Sequence, residues 1–288
     1  MENIKSTYES VKSSTIGIIV TSCIILYIIA RFIIYFLQYS LTTGLSNGVT
    51  IIPGKLSGSQ TYNNKQTPTG DAIVGLSTNE INGVEFTYSL WLKINSDNIE
   101  SEHDIAGCDF ITPCDSKKLI HIFNKGDDTG ETSDADLVQN VSIINNAPGV
   151  YLAKNNTEIV LLIYMDTMGT EPSYKKKPIS VSNLPIMKWF SLIIIAKSNV
   201  LYIYVNGRLK SSYIFKDEVF KQNYDDITIN KHGIEWGSLA DLVYYPRALN
   251  GLEIQSLLLA GPDQKQYIKT DSIFNETPSY LNTNWYNM

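Results

Sequence analysis

The residues with the clearest potential for chemistry are the carboxylates of one short segment, "DDTGETSDADL", at residues 127–137. Carboxylate oxygens are ligands that Ca²⁺ prefers, and closely spaced aspartates in one loop can supply several of them. The sequence therefore offers a calcium site as one interpretation and a solvated acidic loop as the simpler one. The candidate ligands are Asp127, Asp128, Asp134 and Asp136.

Cysteine chemistry is confined to "CDFITPC", where Cys108 and Cys114 are separated by five residues. This spacing can close a small disulfide loop if the two Cβ atoms face each other and the compartment is oxidising. Zinc ligation with His103 and His121 is an alternative, but paired zinc ligands usually have two to four residues between them. Cys108 and Cys114 are therefore candidates for a disulfide, and we expect no metal site here.

Catalysis and nucleic-acid binding are both disfavoured. Hydrolysis of a glycosidic bond needs two carboxylates flanking it, and the remaining acidic strings, "DSKK" and "KDEVF", are typical of loops. A net charge of −6 argues against a nucleic-acid surface, and the one basic run is Lys175–Lys177. The sequence thus predicts a protein that is not an enzyme and needs no cofactor.

An apolar stretch from Ile16 to Leu37 contains 22 residues and one charge, Arg31. A helix of that length spans about 33 Å, enough to cross the hydrocarbon core of a membrane. We predict a single transmembrane helix over 16–37 after an N-terminal tail of residues 1–15, with a secretory signal as the competing interpretation. Lys5 and Lys12 precede it, so the positive-inside rule favours a cytoplasmic N-terminus, although Arg31 opposes this.

Residues 38–70 are rich in Gly, Ser, Thr, Asn and Gln and predict a polar spacer, with "VTII" as one short strand. From residue 71 to 262 short strands recur with turn signals between them. "VEFTYSLWLKI" alternates apolar and polar positions, as a half-buried strand does. The other predicted strands lie in "KLIHIFNKG", "GVYLAKN", "EIVLLIYMD", "DITIN" and "LADLVYY". Such a series predicts an antiparallel sandwich or barrel.

The stretch "KWFSLIIIAKSNVLYIYVNGRLK" predicts three consecutive strands, with Asn206-Gly207 as a type I′ turn between the last two. Its first strand is apolar on both faces, which indicates a central strand covered on both sides. In "LNGLEIQSLLLAGP", Asn250 and Glu253 have the spacing of a helix capping box. Residues 263–288 form a polar C-terminal tail that could add an edge strand or dock on a partner.

Four motifs in this order resemble the laminin-G-like domain of the concanavalin A-like lectin/glucanase superfamily. They are an F-T-x-x-x-W strand, a strand ending in Lys-Gly, a meander with Trp followed by Y-x-N-G, and a string similar to G-x-I-D-D-x-x-x-Y-x-R-A-L. The residues that carry the resemblance are Phe86, Thr87, Trp91, Lys125, Gly126, Trp189, Tyr204, Asn206, Gly207, Gly237, Leu239, Asp241, Tyr245, Arg247, Ala248 and Leu249.

The resemblance implies an all-β fold: an antiparallel β-sandwich (jelly roll, concanavalin A-like) with one short C-terminal helix. The superfamily includes hydrolases, lectins, calcium-dependent adhesion modules and scaffolds. The hydrolases' E-x-D-x-x-E strand does not occur here, and Ala240 and Ser191 replace residues common in the family.

Two functions follow as expectations. The Asn/Ile/Tyr-rich composition and the divergent motifs resemble membrane-anchored virion proteins of large DNA viruses, which implies a minor capsid protein tying a virion membrane to capsid proteins. The alternative is a surface lectin or adhesin that binds a glycan or a receptor at the edge of the sandwich. Calcium-dependent glycan binding would favour the second function, and burial among several particle proteins the first.

Overall fold

The protein, seen in a computed structural model, is described at residues 18–36, 45, 47–67, 72–77, 83–99, 119–126, 146–155, 158–169, 178–216, 218–233 and 235–267. It divides into two compact units, Met1–Asn47 and Gly48–Met288. The predicted tail 1–15, the ends of the predicted span at Ile16 and Leu37, and residues 268–288 lie outside the described residues.

The first unit contains one apolar helix, α1, at Ile18–Phe36, with a mean hydropathy of 2.4. The hydroxyls of Thr21 and Ser22 both donate to the carbonyl oxygen of Ile18, at 2.9 and 2.8 Å. Internal hydrogen bonds of this kind are what a polar side chain needs in lipid, where no water is available. By length and composition α1 fits either a membrane span or a signal sequence.

The second unit is built from two six-stranded sheets in which every pair of neighbouring strands is antiparallel. The strands are β1 Val49–Ser57, β2 Tyr62–Asn64, β3 Phe86–Ile94, β4 Ile120–Lys125, β5 Gly149–Asn155, β6 Glu158–Tyr164, β7 Ile179–Val181, β8 Trp189–Lys197, β9 Val200–Val205, β10 Arg208–Ile214, β11 Ile227–Ile229 and β12 Gly237–Tyr245. Sheet A has the order β1-β12-β3-β8-β9-β10, and sheet B the order β2-β11-β4-β5-β6-β7. One helix, α2 at Gly251–Ala260, follows the last strand. The predicted antiparallel sandwich with a short C-terminal helix is confirmed.

The core lies between the two sheets, and strand alternation decides which side chains enter it. In β3 the apolar set beginning at Phe86 points inward, as the period of two predicts. Tyr88 of sheet A packs against Phe123 of sheet B, with ring centroids 5.7 Å apart. Burial raises the pKa of the Tyr88 hydroxyl well above its usual value, and the neighbouring Tyr244 adds to the effect. The aromatic pair therefore joins the two layers in a dry environment.

The predicted meander is confirmed as β8, β9 and β10. Asn206 and Gly207 have φ values of 50° and 70°, the two positive values that a type I′ turn requires. Strand β8 is buried on both faces, since Ile194 on the core side and Ile193 on the outer side are both 0% exposed. Because β8 is buried on both faces, it is a central strand of the second unit.

The spacer predicted over residues 38–70 does not extend that far, because β1 and β2 lie within it. The sequence "VTIIPGKLS" was misleading, since Pro53 and Gly54 are typical of a turn. In the structure they sit where the β1–β12 register shifts, and Gly54 has a φ of 78°. An edge strand tolerates proline and glycine at such a bulge. Strand β7 was also missed, because three residues carry no readable period.

Both edges of sheet A carry features that oppose pairing with another chain. At β1, the backbone N–H of Lys55 donates to the Lys265 carbonyl and that of Tyr267 donates to the Lys55 carbonyl, at 2.7 and 2.8 Å. The start of the predicted tail therefore covers this edge. At the opposite edge, β10 is solvated on both faces, with a register shift between Leu209 and Ser211. Bulges and lysines at an edge, here Lys210, disfavour edge-to-edge association.

We predict that Ile194→Asp unfolds the second unit. A carboxylate at this site would be buried without a partner, a change that costs roughly 4 kcal/mol or more. The matched control is Leu209→Asp on β10, whose side chain is 52% exposed and should tolerate the charge. Urea unfolding followed by tryptophan fluorescence compares them, and a cooperative transition of normal midpoint in Ile194→Asp would contradict the assignment of β8.

Candidate functional site: a groove on the outer face of sheet A

Helix α2 lies on the outer face of sheet A, held there by a small set of polar contacts. The Thr87 hydroxyl donates to the Arg247 carbonyl at 2.8 Å and accepts from the backbone N–H of Leu249 at 3.2 Å. Arg247 forms a bidentate ion pair with Glu253, at 2.6 and 2.9 Å. The predicted capping box of Asn250 and Glu253 is present. These contacts fix where the helix begins on the sheet.

The motif residues at the end of β12 therefore have structural roles in this chain. Burial raises the pKa of Tyr245 to about 12, with Arg247 opposing and Glu253 adding to the shift. Burial also raises the pKa of Glu253, but hydrogen bonds from Arg247 and from the backbone N–H of Asn250 lower it by more. The pKa of Glu253 is therefore below its usual value. At neutral pH Tyr245 is therefore neutral and Glu253 is ionised, as its ion pair with Arg247 requires.

Asp241 occupies a bulge of β12, where its φ is 50° and the register with β3 shifts. One carboxylate oxygen accepts from the backbone N–H of Gly54 in β1, at 3.1 Å. The other accepts from the backbone N–H of Asp263, just after α2, at 2.7 Å. One side chain thus joins two strands and the segment that follows the helix.

Between the C-terminal end of α2 and strands β1, β12 and β3 lies a groove of about 560 Å³, here called the Trp91 cavity. The half-buried indole of Trp91 lines it together with Asp241 and Leu257. Its remaining lining residues are Thr50, Pro53, Gly54, Ser89, Val243, Ala260, Gly261, Pro262 and Asp263.

A second, smaller cavity of about 230 Å³, the Lys93 cavity, is lined by other residues of the same three strands, β1, β12 and β3. The register places Lys55 opposite Ala240 and Ala240 opposite Trp91, and in the next row Ser238 opposite Lys93. The Lys93 cavity is lined by Lys55, Ser57, Lys93, Asn95, Met187, Glu235, Gly237 and Ser238. The two cavities together are called the outer-face groove.

The glycine at the base of this groove is required by close packing. Gly237 has a φ of 143°, and a Cβ added there would lie 1.9 Å from the Lys93 carbonyl oxygen. β12 can therefore approach β3 this closely only without a side chain at position 237. Gly237 was part of the sequence resemblance, and the approach of the two strands gives it a physical reason.

The carboxylates of the Trp91 cavity are hydrogen-bonded to the backbone. Both oxygens of Asp241 accept backbone hydrogen bonds, and Asp263 accepts one from the backbone N–H of Lys265 at 3.0 Å. Among the described residues no group of three or more His, Cys, Asp or Glu could hold a metal ion.

The other predicted residues are placed as follows. Trp189 lies half-buried on the outer face, opposite Lys93 in the register, beside the groove rather than in the core. The Asn206 side-chain oxygen accepts from the backbone N–H of Ser191 at 3.0 Å, and Gln255 of α2 donates to the Gly207 carbonyl at 3.3 Å. The turn therefore supports both β8 and the helix.

His121, considered as a zinc ligand, is buried with both ring nitrogens engaged. Its Nδ1 accepts from the backbone N–H of Lys231 at 3.2 Å, so Nε2 carries the proton towards Asn124 Oδ1, 2.9 Å away. This arrangement leaves no lone pair for a metal. The disulfide candidates Cys108 and Cys114, and the calcium candidates Asp127, Asp128, Asp134 and Asp136, lie outside the described residues and remain predictions.

Sequence reasoning missed Lys55, Lys93 and Asp263 as site residues. Lys93 had a usable signal, because it shares the outward face of β3 with Trp91. Lys55 and Asp263 had none, since the first was assigned to a spacer and the second to a tail. The chain brings them together only when β1 and the segment after α2 meet at β12.

Lys125, part of the Lys-Gly motif, lies at the end of β4 and is only 2% exposed. Its ammonium group donates to the Asp225 carbonyl. Burial lowers the pKa of Lys125 to about 8, while Asp225 and Asp226 partly counter the shift. The folded protein therefore carries the cost of a buried ammonium group at neutral pH.

No family model matches the chain, and no curated protein matches it in sequence. Solved structures do resemble it in fold. The receptor binding domain of botulinum neurotoxin mosaic serotype C/D has 16% sequence identity and a TM-score of 0.40. The matched region is 74% of this chain and 46% of that structure's chain. For the botulinum neurotoxin type G receptor binding domain these values are 17%, 0.38, 75% and 47%. For the binding domain of Paraclostridial Mosquitocidal Protein 1 they are 17%, 0.38, 74% and 46%. The chain thus spans less than half the length of these structures.

We predict that Asp241→Asn destabilises the second unit by about 1–2 kcal/mol. An asparagine keeps one acceptor oxygen, so one of the two backbone N–H groups loses its partner. Asp263→Asn is the matched control, because its side chain accepts one hydrogen bond, from the backbone N–H of Lys265, and this needs only one acceptor oxygen. Equal unfolding free energies for both variants in urea titrations would show that Asp241 does not join the two segments.

A pH dependence follows from Lys125. Its folded pKa of about 8 lies below the unfolded value, so the folded state loses the proton first as pH rises. The unfolding free energy of the wild type should therefore rise by about 1–2 kcal/mol between pH 7.5 and 9.5 relative to Lys125→Met. Parallel curves for the two proteins across this range would contradict the buried ammonium group.

Proposed function

We propose that this protein is a non-enzymatic binding module, anchored in a membrane by α1, that takes a saccharide in the outer-face groove. The observation that carries the proposal is the Trp91 cavity. Its volume of about 560 Å³ is in the range of ligand sites, and it combines an accessible indole with a few polar groups.

The chemistry of the Trp91 cavity suits a sugar ring. The face of an indole offers a large apolar surface at low entropic cost, against which the C–H groups of a ring can pack. Each carboxyl oxygen has two lone pairs, so Asp241 and Asp263 can accept hydrogen bonds from hydroxyl groups in addition to those from backbone N–H groups. Ser89 and Thr50 add hydroxyls of either polarity.

A hydrolytic role is less well supported by the same groove. A glycosidase needs one carboxylic acid with a raised pKa opposite a carboxylate base or nucleophile. Both oxygens of Asp241 and one oxygen of Asp263 are already engaged by backbone N–H groups. The proposal therefore assigns them to binding.

Helix α1 would hold the module at a membrane, and Lys5 and Lys12 favour a cytoplasmic N-terminus. On that topology the second unit would lie outside the cell, as a lectin or adhesin requires. The virion-component hypothesis has no supporting observation among the described residues. We therefore propose the adhesin function in its place.

The proposal predicts that Trp91→Ala lowers saccharide affinity by about tenfold or more, because a buried tryptophan contact typically contributes above 1–2 kcal/mol. The full chain in detergent micelles would be applied to a glycan array with EDTA or with CaCl₂, which also tests the aspartates at 127–136. Tyr224→Ala is the matched control, since this aromatic side chain is 67% exposed and lies outside the groove. Absence of glycan binding, or binding that Trp91→Ala leaves unchanged, would overturn the proposal.

A further inference from the structure

We infer that the ligand of the outer-face groove is an acidic saccharide, with a neutral ring on Trp91 and a carboxylate or sulfate between Lys55 and Lys93. The inference rests on the proposed function and specifies its ligand class. It starts from the Lys93 cavity, which the sequence analysis did not foresee.

The spacing of the strands places the two parts of the groove within reach of one ligand. Trp91 and Lys93 are two positions apart on the outer face of β3, so their Cα atoms lie about 7 Å from each other. Lys55 lies in the same cross-strand row as Trp91, with Ala240 between them. Ala240 between them has only a methyl side chain, and it is fully buried.

The two lysines are available for an anion. Within the described part of the chain, neither Lys55 nor Lys93 forms an ion pair or a side-chain hydrogen bond. The one acidic residue lining the same cavity is Glu235, so two ammonium groups face one carboxylate. Asn95, Ser57 and Ser238 add neutral donors around them. This is a cationic site on a chain whose net charge is −6.

The opposite end of the groove carries the opposite charge, and this fixes the direction of the ligand. Asp241 and Asp263 line the Trp91 cavity, where they would repel an anionic group and accept hydrogen bonds from hydroxyl groups. Lys55 and Lys93 line the other cavity, where the preference is reversed. A saccharide that carries its negative charge on the sugar unit next to a neutral ring places each group in the part of the groove that favours it.

The test compares three matched probes on the full chain in detergent micelles: lactose, 3′-sialyllactose and 3′-sulfolactose. Isothermal titration calorimetry should show both acidic probes binding about five- to tenfold more tightly than lactose, as two partly exposed ion pairs provide. The preference should shrink as NaCl is raised. Equal gains for both acids indicate a general anion site, and a gain for one identifies a sulfate or a carboxylate site.

Variants separate this inference from the proposed function. Lys55→Gln and Lys93→Gln should each reduce affinity for the acidic probes several-fold more than affinity for lactose, so that the preference for the acids is lost. Lys210→Gln, at the distant edge strand β10, is the matched control and should change nothing. Trp91→Ala should weaken all three probes.

Two results would overturn the inference. If lactose and the acidic probes bind equally well in a Trp91-dependent manner, the proposed function stands and the acidic ligand class is wrong. If acidic probes bind more tightly but the Lys55 and Lys93 variants keep that preference, the anion lies elsewhere and the assignment of this cavity is wrong. Absence of binding by all three probes and by the glycan array would overturn both proposals together.

Discussion

The carboxylate of Asp241 is the contact on which the geometry of the groove depends. Its two oxygens hold the backbone of Gly54 in β1 and of Asp263 after α2, and both segments would otherwise meet water at this point. The bulge that carries Asp241, with its φ of 50°, turns the side chain towards both of them. One residue of β12 thus ties together β1 and the segment that follows the helix. The Trp91 cavity is the space that this arrangement leaves open.

The outer face of sheet A explains why a groove exists at all. An antiparallel sheet can leave one face to water, but β8 is apolar on both faces and must be covered on both. Helix α2 covers part of the outer face, and the Arg247–Glu253 pair with Thr87 fixes its position. Ten residues of helix cannot cover six strands. The strip of β1, β12 and β3 beyond the end of α2 therefore stays accessible.

Much of the fold could be predicted from local patterns. The period of two in β3, the doubly apolar β8, the Asn206-Gly207 turn and the Asn250–Glu253 capping box depend on residues close in sequence, and all four are confirmed. The first strand could not be predicted in full, because Pro53 and Gly54 break its period and only pairing with β12 makes the bulge acceptable. Trp91 and Asp241 were recognised as fold residues, but their role in a groove was not visible. Residues 55, 93 and 241 come together only across three strands.

The sequence by itself determined the class of the protein: an apolar helix near the N-terminus, then an antiparallel sandwich closed by one capped helix. Hydrophobic periodicity, turn chemistry and capping act over a few residues, so a linear pattern is enough to reveal them. Only the tertiary structure decided where the chain could bind a ligand. Lys55 and Trp91 are 36 positions apart in sequence, but strand register puts them in one row of the sheet. Register between strands distant in sequence follows from packing of the whole core, and no local pattern encodes it.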